Sequence, residues 1–281
     1  ELLGRFGKVP ALDASLAAAK ERWTGLLDSH RIETPDAPFD ALLNDWVRYQ
    51  AISARLHGRC GYYQQSGAYG FRDQLQDSQV WLTVAPEKCR EQIALHAAHQ
   101  FADGSVYPWW HPLSGMGHVT RMTDDLLWLA FVTAAWIRET GDLSILSDRT
   151  PYLDDARPAP LAEHVARAFQ RVFRRTSPRG LPYIGAGDWN DGLSAVGLEE
   201  KGESVWLAHF LAGLLAEWAD IWGRTGEPGR AADFARRREA LVAAINEHCW
   251  DGGWYWRATL DSGEKIGSAG NERGRIYLNA Q

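Results

Sequence analysis

Sulfur, surplus positive charge and long apolar runs are all scarce in this chain, and each shortage closes a class of function. The three cysteines in 281 residues, Cys60, Cys89 and Cys249, are far apart and outside any Cys-x-x-Cys spacing. Neither a disulfide framework nor a zinc site is expected from them, and they read as buried thiols in a reducing compartment. A formal net charge of -6 leaves no excess of Lys and Arg for a phosphodiester backbone, which excludes nucleic acid as a partner. The longest apolar run, 126–137, is well short of the roughly 20 residues that cross a bilayer. No secretory signal opens the chain, strand patterning is nearly absent, and no low-complexity linker divides the sequence. With 45% hydrophobic and 23% charged residues there is no room for a long disordered tract. Tryptophan, by contrast, is abundant, with 14 copies against 9 Phe and 9 Tyr. An indole pairs a large apolar face with one N–H donor, which suits sugar rings, although most of these indoles are expected in the core.

Apolar residues recur at helical spacing from end to end. The segment 161–173 places Leu161, Val165, Ala168, Phe169 and Val172 on one stripe, with Arg167, Arg171, Arg174 and Arg175 elsewhere and Pro178 and Gly180 beyond, which predicts an outer-layer helix. The stretch 205–222 is apolar nearly all round apart from His209, Glu217 and Asp220, as in an inner-layer helix with neighbours on most sides. Further helices are expected near 11–28, 38–57, 86–101, 126–140 (with Gly141 as its cap) and 229–248. A small hairpin is expected over 254–268 around Asp261-Ser262-Gly263. One-sided helices alternating with all-round apolar ones, joined by long Gly-, Pro- and Trp-rich connections, predict an all-α fold of the double-layered α/α barrel type.

Three clusters in the connections carry chemistry, and long connections in a compact domain usually do. In Gly70-Phe71-Arg72-Asp73-Gln74-Leu75-Gln76-Asp77, a helical latter half stacks Asp73 on Asp77 and sets Arg72 and Gln76 on the adjoining row. That is a hydroxyl-binding kit, with a solvated salt-bridged first turn as the alternative. Trp109-Trp110-His111-Pro112, followed by Gly115, Gly117, His118, Thr120, Arg121, Asp124 and Asp125, offers two indoles to pave a sugar subsite. His111 and His118 lack a His-x-x-x-His spacing or a third ligand, so no metal is expected. The third cluster, Gly185-Ala186-Gly187-Asp188-Trp189-Asn190-Asp191-Gly192, bends sharply at its glycines and lacks the alternating ligands of a calcium loop. A carboxylic acid beside an indole in a closed pocket has its charged form desolvated, which keeps its proton in place as a general acid requires.

With these motifs in this order the sequence resembles the family-94 glycoside phosphorylases, relatives of inverting glycosidases with (α/α)6 barrels. The resemblance rests on the 70–77, 109–112 and 187–192 motifs, on Asp124-Asp125-Leu126-Leu127-Trp128-Leu129 and on Gly202-Glu203-Ser204-Val205-Trp206-Leu207. It covers nearly the whole chain. It implies that Asp191 is the general acid, with Asp188 the alternative, and that Arg72 and Asp77 hold the reacting sugar. Asp73, Gln76, Trp109, Trp110, His111, Asp124, Asp125 and Trp189 complete the expected substrate-binding set, with Arg59 and Arg72 toward phosphate. The Gln-Leu-Gln form of the first motif, with Trp-Trp-His-Pro, looks more like the phosphorylase-type domain of cyclic β-1,2-glucan synthases and β-1,2-oligoglucan phosphorylases than like cellobiose phosphorylases.

The implied reaction is inverting phosphorolysis of a β-linked glucose oligosaccharide or glucan, by a glycosyltransferase-type enzyme with no cofactor and with inorganic phosphate as co-substrate. The rival readings are an inverting hydrolase on the same barrel and a non-catalytic carbohydrate-binding domain. The chain starts at Glu1 without methionine and stops in mid-pattern after Ile276, Tyr277 and Leu278, so it reads as a piece of a longer parent. Residues 1–34 are expected to be a connector helix from an upstream domain, and 35–281 the N-terminal and central part of an incomplete (α/α)6 barrel. In the family, later helices supply a His and a Thr-Gly pair for phosphate. This chain is therefore expected to carry the acid and part of the sugar subsite, with the inner face of 205–222 partly exposed. A cytoplasmic setting is expected, free or as the cytoplasmic domain of a membrane-anchored synthase, with a homodimer of the parent admitted.

Overall fold

The computed structural model describes residues 2–58 and 67–277; Arg59, expected to face phosphate, and Cys60 lie outside them. Helices α1 (Leu2–Phe6) and α2 (Val9–Leu27) open the chain. A continuous helical stretch then runs over 37–58, made of α3 (Ala37–Ala41), a π-helical segment (Leu42–Trp46), α4 (Val47–Gln50) and a second π-helical segment (Ala51–Gly58). Next come α5 (Phe71–Ser78), α6 (Trp81–Val84), α7 (Pro86–Ala97), α8 (Asp125–Thr140), α9 (Leu161–Phe173), α10 (Val205–Arg224) and α11 (Pro228–His248). Their ends follow local chemistry. Proline sits in the first turn of α7 and of α11, where its missing N–H leaves no bond unmade. The Ser204 hydroxyl accepts the Leu207 N–H at 2.9 Å and caps α10, and Gly141 at φ 72° closes α8.

The expected alternation of layers is present. Helix α8 is buried almost continuously from Asp125 to Ile137, whereas α9 buries only the stripe at Leu161, His164, Val165, Ala168, Phe169 and Val172. Helices α5, α8 and α10 pack side by side, and α7, α9 and α11 cover them from outside, as in an incomplete (α/α)6 barrel. Trp218 on α10 joins the layers: it meets Phe169 of α9 edge-on at 6.1 Å and donates its indole N–H to the Ala130 carbonyl of α8 at 3.1 Å. A buried indole so bonded keeps its large apolar contribution without an unpaired donor. Among the described residues no helix is long and apolar enough to cross a membrane. Cys89 and Cys249 are buried, and burial pushes both thiols up to about 12.

Two expectations change. Most of the apolar side chains of α10 are buried within this chain, because α8 and α11 flank the helix. The large exposed apolar side chains gather instead on the N-terminal arm, at Val9, Leu12, Leu16, Leu42, Trp46 and Val47. The second change is a small sheet that strand patterning does not announce: β1 (Tyr69–Gly70), β2 (Trp109–Trp110) and β3 (Gly117–His118), antiparallel in that order. Strands this short carry too few alternating positions to be read. A pair β4 (Arg149–Thr150) and β5 (Ala159–Pro160) also forms, and the expected hairpin is β6 (Ala258–Thr259) with β7 (Lys265–Ile266).

Candidate active site

The N-terminal ends of the three inner helices meet at one end of the barrel wall. There α5 brings Arg72, α8 brings Asp124 and Asp125, and the connection into α10 brings the 187–192 loop. Arg72 is the hub. Its Nη1 donates to Asp124 Oδ2 at 3.2 Å and to the Asp188 carbonyl at 3.2 Å, while its Nη2 donates to Asp191 Oδ1 at 2.7 Å. The guanidinium is 9% exposed and the Asp191 carboxylate 74%, so a nearly buried cation holds an open anion at the mouth of the site. Neighbouring Asp124, Asp125 and Asp191 push Arg72 further toward permanent protonation against the cost of its burial.

The loop that carries Asp188 and Asp191 bends at Gly185 and Gly187, whose φ values are 57° and 136°. A Cβ on Gly185 would lie 2.4 Å from the Arg121 carbonyl, and one on Gly187 3.0 Å from Met122 Sδ, so only glycine lets the loop lie this close to 121–123. Thr123 fastens it, donating from its backbone N–H to the Gly187 carbonyl at 3.2 Å and from its hydroxyl to Ile184 O at 3.2 Å. Along 188–191 burial changes abruptly: Asp188 is 0% exposed, Trp189 42% and Asp191 74%. The expected closed pocket around the acid is thus corrected, since within this chain Asp191 faces solvent and meets Arg72. The alternative acid, Asp188, is enclosed and paired to Arg257.

The expected sugar-binding set divides. On α5, Arg55 from the second π-helical segment donates to Asp77 Oδ2 at 2.8 Å and lies 3.8 Å from Asp73 Oδ1, which places both carboxylates on one row. Burial raises the Asp77 carboxyl above its ordinary value, and the nearby Arg55 partly offsets this. Gln76 is half-buried beside them. The two adjacent indoles do not pave one surface, because successive residues of a strand point to opposite faces. Trp110, 1% exposed, stacks on His99 at 3.9 Å inside the core. Trp109, 42% exposed, faces outward between His111 and His118, with ring centroids at 5.6 and 6.3 Å. Since β2 pairs Trp109 with Gly70, this indole stands beside the strand that leads into Arg72.

Asp124 and Asp125 are also reassigned. Both are buried; the Asp124 oxygens are taken by Arg72 and by the Trp128 indole N–H at 3.0 Å, so it reaches a ligand only through Arg72. Burial, with Asp124 next to it, pushes the Asp125 carboxyl well above the carboxylate range, and it faces a water-sized cavity shared with Ser105 and Thr120. Asp188 is held by Ser204, from the 202–207 motif, and by Arg257; only Arg257 escaped the motif reading, because an arginine inside a hairpin, 69 positions from its partner, gives no local signal. Among the described residues no group of three or more His, Cys, Asp or Glu side chains could hold a metal.

Comparison with known proteins agrees with this architecture. Residues 22–281 match the glycosyl hydrolase 94 superfamily, catalytic domain. The chain is 38% identical over 98% of its length to the cyclic β-(1,2)-glucan synthase NdvB of Rhizobium meliloti, of which it covers 10%. It is 32% identical to the solabiose phosphorylase of Paenibacillus borealis over 98% of this chain and 34% of that protein. It is also 32% identical to the cellobionic acid phosphorylase of Neurospora crassa, over 95% of this chain and 33% of that one. It thus spans about a third or less of these relatives. Among solved structures it resembles a rhamnosidase from Klebsiella oxytoca, with TM-score 0.61 at 15% identity over 89% of this chain and 44% of that chain, a likeness of fold. By sequence match along 22–281 and by its inner and outer helices, this chain belongs to the glycosyl hydrolase 94 superfamily.

Proposed function

We propose that this chain is the acid-bearing part of a glycoside phosphorylase that cleaves a β-linked glucose oligosaccharide or glucan with inversion, giving α-glucose 1-phosphate. The observation that carries the reading is the wide-open carboxylate of Asp191, held at 2.7 Å by an arginine rooted in the barrel wall. The phosphorylases among the relatives support it. Asp191 is the general acid: it gives its proton to the glycosidic oxygen as the bond from C1 breaks, while a phosphate oxygen bonds to C1 from the opposite face. A hydrolase needs a second carboxylate to activate water; here phosphate is already a nucleophilic anion. In the synthetic direction Asp191 takes the proton from the acceptor hydroxyl.

Arg72 engages phosphate, the role that the sequence resemblance also assigns to Arg59, and phosphate drawn to the Arg72 guanidinium competes with Asp191 for it. Asp77, Asp73 and Gln76 bind hydroxyls of the reacting sugar; Trp189 and Trp109 offer their open faces to rings, with His111 beside the latter. The relative named as a cyclic β-(1,2)-glucan synthase favours a β-1,2 linkage. The full-length parent tests the reading: glucan is supplied with and without phosphate, and α-glucose 1-phosphate is expected only with it. Free glucose at equal rate without phosphate would make the protein a hydrolase, and binding without any product would make it a carbohydrate-binding module. Expressed alone, residues 1–281 are expected to bind sugar without turnover, because a nucleophile must be positioned for the reaction and most of the phosphate cradle lies on later helices.

A further inference from the structure

The hairpin β6–β7 lies outside the barrel's helices, yet its backbone is built into the entrance of α10. The Arg257 carbonyl accepts the Val205 N–H at 3.2 Å, one of the N–H groups that the first turn of a helix leaves unpaired. Thr259 N donates to the Glu203 carbonyl at 3.0 Å, and the Thr259 hydroxyl accepts from Glu203 N at 3.0 Å. Beneath the acid loop, Ile184 and Val196 pack with Ala258 of the hairpin, flanked by Leu193, Leu260 and Ile266. From this platform Arg257 reaches Asp188, both side chains being 0% exposed.

Asp188 is the junction of the loop. Its Oδ1 accepts from Arg257 Nη2 and from Asn190 N at 2.9 Å, and its Oδ2 accepts from the Ser204 hydroxyl at 2.5 Å. Its backbone carbonyl accepts from Arg72, the arginine that also holds Asp191. We infer that Arg257 is a positioning residue: the hairpin delivers a buried guanidinium that clamps Asp188 and thereby fixes where Asp191 stands relative to Arg72. A lysine would not serve, because a planar guanidinium offers several fixed donors where an ammonium is a mobile point charge. The inference rests on the reading of Asp191 as the general acid.

The test uses the full-length parent with phosphate on two substrates, its own β-glucoside and a β-glucoside of dinitrophenol, whose leaving group needs no proton. Arg257→Met is expected to lower kcat on the β-glucoside by about tenfold to a hundredfold, the usual effect of a small misplacement, with KM nearly unchanged. On the dinitrophenyl substrate the loss is expected to stay within about threefold, since protonation no longer limits. Because Arg257→Met leaves Asp188 as a buried unpaired charge, a double variant with Asp188→Asn removes that charge and is expected to keep the selective loss. Equal losses on both substrates, or parental turnover in the double variant, would overturn the positioning role. Asp191→Asn is the separate control. If it fails to distinguish the two leaving groups, the reading of Asp191 as acid falls; if it distinguishes them and Arg257→Met does not, only the clamp falls.

Discussion

Asp188 and Asp191 stand on one loop and each meets an arginine, but the Asp188–Arg257 pair is sealed while Asp191 lies open to solvent against Arg72. A sealed ion pair recovers little of what its desolvation costs, so its value is geometric: with every oxygen taken, the carboxylate has one place to be. An open pair is weak in water and easily exchanged for a ligand. The same backbone turn thus serves as foundation at one end and working surface at the other. The contributions of α5, of β2 and of the start of α8 divide alike, with Asp124 and Trp110 inside and Asp77 and Trp109 toward the mouth.

If this division is right, substitutions on the open side cost activity alone, and those on the sealed side cost folding together with whatever activity depends on where the loop stands. The largest effect is expected from Asp191→Asn in the full-length parent: phosphorolysis lowered by about two to four orders of magnitude, the usual contribution of a positioned general acid, with an unchanged melting temperature. Near-normal turnover of that variant on a glucan would break the comparison at its active end. Next comes Asp188→Ala, which strands the buried Arg257 and is expected to destabilise by about 3–5 kcal/mol, read from denaturant unfolding of the barrel. Parental stability of that variant would show that the sealed pair is not the foundation of the loop.

The sealed side also has its own pH signature. His96, buried beneath Phe71 and Trp110, is pushed down to about 4, chiefly by burial. Between pH 6.5 and about 4 the unfolded chain takes up a proton at this ring that the folded chain refuses, so stability falls as pH falls, by up to about 1.4 kcal/mol per unit. His96→Gln is expected to flatten the stability profile in that window; an unchanged slope would assign it to other groups. The smallest effects belong to the row on α5. Asp77→Ala is expected to weaken sugar binding about tenfold, the cost of a lost charged hydrogen bond, whereas Asp73→Ala, 3.8 Å from Arg55, stays within about threefold. The reverse ranking in a binding titration would place the sugar one turn nearer the start of α5 on the same row.

Much of this was legible in the residues, for identifiable reasons. The 161–173 helix was readable to the residue because its stripe and its stops agree, and Gly141 and Asp261-Ser262-Gly263 mark their turns by local chemistry. The motif at 187–192 was readable because carboxylates, an indole and glycines crowd one loop. The sheet of two-residue strands was not, and with it went the separation of Trp109 from Trp110. Nor could sequence separate Asp188 from Asp191. Their difference is made by Ser204 and, above all, by Arg257, which arrives from 69 positions away, and burial by so distant a partner leaves no periodicity to read.

The register of β2 on its two neighbours has a consequence for how such a chain can change over time. Gly70 pairs with Trp109 and Trp109 with His118, so one indole is committed to the core and the next to the surface by a single alignment. Insertions or deletions in the 111–116 loop, where Leu113 is fully exposed, leave that alignment intact and can lengthen or shorten the rim without disturbing the interior. A slip of one residue inside β2 would exchange the two indoles and damage both at once. Length variation is therefore cheap on one side of Trp110 and forbidden at it, which makes this loop the natural place for the rim to be refitted to a different ligand.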